Sequence, residues 1–547
     1  MADLTKASLL EQAADLGRNS DAEDPPYGTA PSILVSRMET TPNPTAPPDP
    51  FAEEAEPPDA IEREPEPEVH GSRVERHRRV NPGQALLVIL LVTVFAGALR
   101  FTHLSNPHDP KNPYVFDEVY YAKDGCYDAG FPWQDCKLNG PGEQTATVHP
   151  PLGRWIIAGG EAAFGNRPFG WRFSSAVAGT LSVLFVSILG LLLFDSALWA
   201  GVSGLLLATE NLNYVQSRMS MLDIFVCLFA VLGFLFLALD RRWIDRRTPE
   251  PEQPSEEEQL LELPPDRPPS PIFRPWRLAA GVALGAAAAT KWSGATALLG
   301  ALLLTVFWER TRRKRYGRPH PLAEALAVEA FSIFVFLIAV PIAVYLASYA
   351  RYWADNGTAI KAWWDNQVLM GSYSIHLRAG HPYASRPWKW ILMWRPVAYY
   401  YQCTRTVNGA CKGTSEVIGM GNPLIFWAAV LALPYAVVRW LRTHDWRAGL
   451  IFVAFASQWL PWFLASRTSF FFYMTPITPF LVLAVVYALR DMSAYRAGYD
   501  GARVLAPVAA AYVVLAVAAF AFFFPILNGR PISYQAWQIR VWFRSWV

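Results

Sequence analysis

Apolar stretches about the length of a bilayer span recur from residue 83 to the end of the chain, separated by polar or basic segments. "ALLVILLVTVFAGAL" and "VLAPVAAAYVVLAVAAFAFFFPIL" carry no charge at all. Since a helix crossing the hydrocarbon core needs roughly 20 apolar residues, the pattern predicts about eleven spans. They fall near 84–104, 171–194, 197–214, 219–239, 325–348, 423–439, 447–464, 470–489 and 503–526, with two more inside 276–308. The expected fold class is an all-α polytopic membrane protein.

The stretch 276–308 is decided by length. As one straight helix it would run about 50 Å at 1.5 Å per residue, against a hydrocarbon core of roughly 30 Å. Basic residues flank both ends. The stretch is therefore expected to be a hairpin of two short spans, with Lys291-Trp292-Ser293-Gly294 at its outer tip.

Charge then orients the spans. "RVERHRRVNPGQ" precedes the first one, and "DRRWIDRR", "ERTRRKRYGR", "RWLRTHDWR" and "RDMSAYRAGYDGAR" follow at alternate loops. Basic loops stay cytoplasmic, so the N-terminus is expected inside. Two long polar loops, 105–170 and 350–421, are then expected outside, with a cytoplasmic linker over 241–275. Residues 1–82 form an acidic, Pro-rich tail without an apolar leader core, which predicts a disordered cytoplasmic segment rather than a signal peptide. The multi-spanning domain is 83–547.

Composition agrees: 52% of residues are hydrophobic and 17% charged, unlike an ordinary soluble domain. The net charge of +2 gives no reason to expect a nucleic acid partner. Four of the five cysteines lie in the outer loops: Cys126 and Cys136 in the first, Cys403 and Cys411 in the second. Two local disulfides in an oxidising compartment are expected, with pairing across the loops left open. Cys227 falls within a span.

The candidate chemistry gathers at the same face. Ionisable groups near or within a membrane are expensive and so are functional candidates. Asp117 and Glu118 are adjacent, and neighbours on a helix diverge by about 100°. One is expected at a reacting centre, as general base to a hydroxyl, and the other in support. His149 precedes two prolines, with Arg154 one turn on. Arg218 is expected at an outer helix mouth, with Asp223 just inside the following span, as anion contact or intramembrane ion pair. Lys291 is a compact charge suited to phosphate. No Walker or Rossmann glycine pattern occurs, and no close His/Asp/Glu cluster compels a metal. An acid pair with several cations at one membrane face suits a lipid-linked phosphate donor, which needs no nucleotide in the outer compartment.

"VFDEVYYAKD", "HPPLGRW", "QSRMSMLD", "TKWSG" and "GHPYASRPWKWILMWRPVAYYY" occur in that order. Together they resemble the protein O-mannosyltransferase family, over most of residues 85–540. The resemblance implies a GT-C type architecture, with interfacial helices on the outer loops. It also implies inverting transfer of mannose from polyprenyl-phosphate-mannose to Ser or Thr hydroxyls of exported proteins, with acceptors met during export left open. The setting would be the plasma membrane. Carried over, Asp117 is the expected base and Glu118 a supporting acid. Arg218, Lys291, His381 and His149 would meet donor phosphate or sugar, supported by Arg154 and Asp223. The resemblance requires no cofactor besides the lipid-linked donor; a divalent metal is open but not indicated. Eukaryotic members carry a β-trefoil domain in the second outer loop. Here that loop is too short to hold one, which points to the bacterial, actinobacterial-type branch. The rivals are a related transferase moving a lipid-linked sugar onto a lipid or glycan and, more remotely, a secondary transporter.

Overall fold

The computed structural model describes residues 80–107, 112–140, 148–249, 266–357, 359–378, 380–496 and 502–547. Nearly all of the tail expected over 1–82, and positions 250–265 of the expected linker, lie outside the described residues.

The first helix, α1 (Pro82–Phe101), starts where local chemistry dictates. The Asn81 side chain accepts from the Gly83 and Gln84 amides, and Pro82 takes the first helical position, where its missing N–H is not needed. After the first long loop, with α2 (Glu118–Asp128) and α3 (Leu152–Phe164), the long α4 (Pro168–Phe194) ends on Asp195 in the left-handed region. Ser196 then caps α5 (Ala197–Ala208), and the short α6 (Asn211–Gln216) leads to α7 (Asp223–Asp245). Among the described residues seven helices are long and apolar enough to cross a membrane. Four further positions expected to span are occupied by shorter helices: α5, α8 (Pro275–Thr290), Trp446–Trp459 and Thr478–Ala494.

The hairpin expected over 276–308 forms. Lys291 breaks the helix with extended backbone (φ −158°, ψ 138°), a 3-10 turn covers Trp292–Gly294, and α9 (Ala295–Arg315) returns. A side chain at Gly294 would press on the Ala287 carbonyl oxygen at 2.2 Å, so the tight turn needs glycine there. At the far end Arg274 and Arg277 both meet Glu309, at 3.2 Å each, and Arg274 also meets Asp240 at 2.7 Å. These buried pairs clamp the two legs together. The span from Pro321 to Ala347 contains a π-helical segment, Val335–Ala339, whose Phe336 carbonyl packs against Gly281 of α8, while Pro341 and Val344 just beyond it pack against Gly285. Small residues let these backbones approach closely.

The second of the two long loops expected outside departs from a purely helical expectation. After Ala350–Asn356 and Ile360–His376 it forms an antiparallel hairpin, β1 (Val397–Val407) and β2 (Ala410–Gly419). A two-residue strand, β3 (Ile532–Ser533), completes a sheet of order β1-β2-β3. The run "VAYYYQCTRTV" is rich in β-branched and aromatic residues, which suits a strand. The structure joins Cys126 to Cys136 and Cys403 to Cys411, and Cys227 stays a buried thiol.

Candidate active site

The acid pair splits at the start of α2. Phe116, in the left-handed region (φ 54°), turns the chain into α2, where Asp117 and Glu118, as neighbours at a helix start, leave in different directions. Glu118 points inward and is fully buried. Its two oxygens receive Arg172 Nε at 2.7 Å and Nη2 at 2.8 Å, together with the amides of Val115 (2.9 Å) and Ser220 (3.1 Å). The remaining donors of Arg172 reach the carbonyls of Leu104 and Pro107. A two-pronged, fully hydrogen-bonded pair is the arrangement in which a buried charge is tolerated. Glu118 thus ties the acid loop to α4 and to the turn before α7.

Asp117 is half-buried and makes no cap hydrogen bond to its own helix. Burial pushes its carboxyl up to about 6; Lys291 draws it down and Asp223 raises it. Lys291, at the hairpin tip, places Nζ 2.9 Å from both oxygens of Asp223 and 4.7 Å from the ring centre of Tyr473. His149 lies between Tyr121 and Tyr373, with ring centres at 6.1 and 6.4 Å. Burial, then the charges of Lys291, Arg467 and Arg154, hold the imidazole well below its ordinary range. Its Nδ1 is buried with no hydrogen-bond partner among the described residues.

Arg467, not among the residues expected from the sequence, joins this group. It donates to the Tyr473 hydroxyl at 3.0 Å and lies over the rings of Tyr373 (5.3 Å) and Tyr473 (5.6 Å). It forms no ion pair with a carboxylate among the described residues, so its charge is available to an anion. Its only sequence signal is an arginine in an aromatic-flanked turn between two apolar stretches, "SRTSFFFY".

The other expected residues are engaged otherwise. Arg218 donates to the carbonyls of Arg100 (2.7 Å), Thr102 (2.7 Å) and His103 (2.8 Å). It covers the open C-terminal carbonyls of α1, a positioning task. Arg154 meets Asp124 at 3.3 Å. His381 is exposed, its ring edge-on to Phe470 at 5.0 Å, at the rim of the aromatic group. Among the described residues no set of three or more His, Cys, Asp or Glu side chains is placed to hold a metal ion.

The site is thus a half-buried carboxylate under the charge of Lys291, with Arg467 and His149 set among the neighbouring tyrosines. Comparison with known proteins fits this chemistry. Residues 90–243 and 270–352 match the family model of dolichyl-phosphate-mannose-protein mannosyltransferase, and 359–546 match that of the C-terminal four TMM region of protein-O-mannosyltransferase. A protein of Mycolicibacterium smegmatis (strain MKD8), named polyprenol-phosphate-mannose--protein mannosyltransferase, is 32% identical over 85% of this chain and 93% of its own length. The chain belongs to the protein O-mannosyltransferase family. A mannosyltransferase of the same name from Corynebacterium glutamicum is 28% identical, over 83% of this chain and 92% of its own. The fold of this family member is shared with the protein O-mannosyltransferase Pmt1-Pmt2 complex of S. cerevisiae, solved bound to the sugar donor. The TM-score is 0.64 at 15% identity, over 85% of this chain and 93% of that one. The architecture is accordingly the GT-C glycosyltransferase fold.

Proposed function

We propose that this protein transfers mannose from polyprenyl-phosphate-mannose to Ser or Thr hydroxyls of exported proteins, with inversion, at the outer face of the plasma membrane. The observation that carries the reading is the half-buried Asp117 beside Lys291, in a chain of this family. Asp117 accepts the proton of the acceptor hydroxyl as its oxygen attacks the anomeric carbon. The bond from that carbon to the phosphate oxygen breaks, and polyprenyl phosphate leaves with the electron pair. Lys291 and Arg467 meet the charge that develops on the phosphate; cations fixed in a partly dry site act more strongly than in water. The buried, unpartnered Nδ1 of His149 is placed to hydrogen-bond the sugar. One displacement inverts the anomeric centre, and a base positioned for it contributes about 10²–10⁴-fold. The outer face is supported by the alternation of basic loops with the loops that bear the site.

The test uses radiolabelled polyprenyl-phosphate-mannose and a Ser/Thr-rich peptide with membranes holding the full chain or its Asp117→Asn variant at matched levels. Transfer by the parent, and its loss by about 10²-fold or more in the variant with donor still bound, is the expected result. Transfer by the variant at the parent's rate removes Asp117 as base. Label moving only to lipid or glycan in the parent replaces the acceptor class.

A further inference from the structure

β1 is the edge strand of its sheet, and among the described residues no other strand pairs with its outer side. An edge presents a row of backbone N–H and C=O groups that another extended chain can match. This edge begins inside the candidate site. Tyr399 is buried, its ring stacked on Phe116 at 4.7 Å, and its hydroxyl accepts from Gln216 at 2.6 Å. Phe116 immediately precedes Asp117. From Tyr401 to Val407 the strand is exposed.

The bulges in β1 define the usable length. The register is irregular between Ala398 and Tyr400, and again between Cys403 and Arg405. Between them Tyr401, Gln402 and Cys403 pair in regular succession with Glu416, Ser415 and Thr414. Bulges spoil an edge as a template, so only this run offers one. It is also held in shape. The Cys403–Cys411 disulfide ties its end to β2. Trp537 packs on Tyr401 at 5.8 Å and donates to Glu416 at 2.6 Å. A pre-ordered strand loses little entropy when a partner adds to it.

We propose that the edge of β1 from Tyr401 to Cys403 docks the acceptor polypeptide, which adds to the sheet as an extended strand and so presents its hydroxyl to Asp117. The inference rests on the transfer to protein proposed above. It selects a polypeptide over a lipid or glycan, because neither of those has a repeat of amide groups to match a strand edge. At about 3.3 Å per residue the run lies about 7–13 Å along the strand from Tyr399. The paired acceptor residues are therefore those roughly two to four positions to one side of the modified Ser or Thr. Recognition through the main chain tolerates many side chains.

The experiment leaves the enzyme unchanged. Acceptor peptides with one Thr are made with a single backbone ester in place of an amide, at each of five positions on either flank. Mannosyl transfer is measured with the full chain in membranes. An ester deletes one N–H donor, and a hydrogen bond is worth about 0.5–1.5 kcal/mol, or about 2- to 12-fold. KM should rise by that factor at alternate positions, two to four residues away on one flank only, with kcat held. A KM indifferent to every ester, or equally sensitive on both flanks, overturns the docking strip. A photoreactive residue three positions from the Thr should crosslink within 397–407, and crosslinks confined to other segments also overturn it. Failure of the unmodified peptide to accept mannose is a separate result; it removes the proposed transfer and this inference with it.

Discussion

Lys291 grips both carboxylate oxygens of Asp223 at 2.9 Å, across 68 positions of sequence. The pair fixes the ammonium where its charge acts on Asp117 and over the Tyr473 ring, at the position proposed to meet the donor phosphate. Lys291→Met should destabilise the protein by about 3–5 kcal/mol, because it strands a buried carboxylate. Adding Asp223→Asn should recover most of that loss, yet leave the donor KM at least about tenfold above the parent, since a phosphate contact is gone. Thermal unfolding in detergent and donor titration of the single and double variants separate the two effects. Full recovery of donor affinity in the double variant would make Lys291 purely structural.

The carboxyl of Asp117, raised to about 6 by burial, sets a pH profile. A base works when deprotonated, so kcat/KM should climb with pH and level off above about 6–7. Lys291 draws that value down, so Lys291→Met should move the climb to higher pH. Stability responds in the opposite sense: the folded state holds this proton more tightly than the unfolded chain. Its contribution therefore becomes less favourable as pH rises from about 4 to about 6. A profile flat from pH 5 to 8 would be incompatible with Asp117 as the base.

Glu118 and Arg172 should behave as a folding unit. Removing either charge leaves the other buried and uncompensated, at a cost of about 3–5 kcal/mol. Glu118→Ala and Arg172→Met should each lower yield and unfolding temperature, whereas Asp117→Asn should not. Size-exclusion profiles and thermal melts compare the three. A Glu118→Ala protein of parental stability but lost activity would place Glu118 at the chemistry instead.

Sidedness can be read from Cys403, which is exposed in the second of the two loops proposed to lie outside. After mild reduction of intact cells, a membrane-impermeant maleimide should label Cys403 and Cys411. Labelling seen only after lysis would invert the proposed topology.

Much of this was legible in the chain because it depends on local length and polarity. The hairpin over 276–308 followed from a helix too long for the bilayer, and its tip falls at Lys291, where the backbone is extended. The divergence of Asp117 and Glu118 followed from helix geometry between neighbours. The sequence does not separate the β1–β2 hairpin from an interfacial helix, because a short aromatic run such as Tyr399–Tyr401 suits either until partners across the sheet are known.

What the sequence by itself determined is the membrane class, the alternation of basic loops and the inventory of unusual charges; hydropathy and charge act residue by residue along the chain. Only the tertiary structure decided what each charge does. It sent Arg218 to the carbonyls at the end of α1, locked Glu118 against Arg172, and brought in Arg467 from a different hairpin. These assignments depend on which groups remain unpaired after packing, and that depends on contacts between residues dozens to hundreds of positions apart.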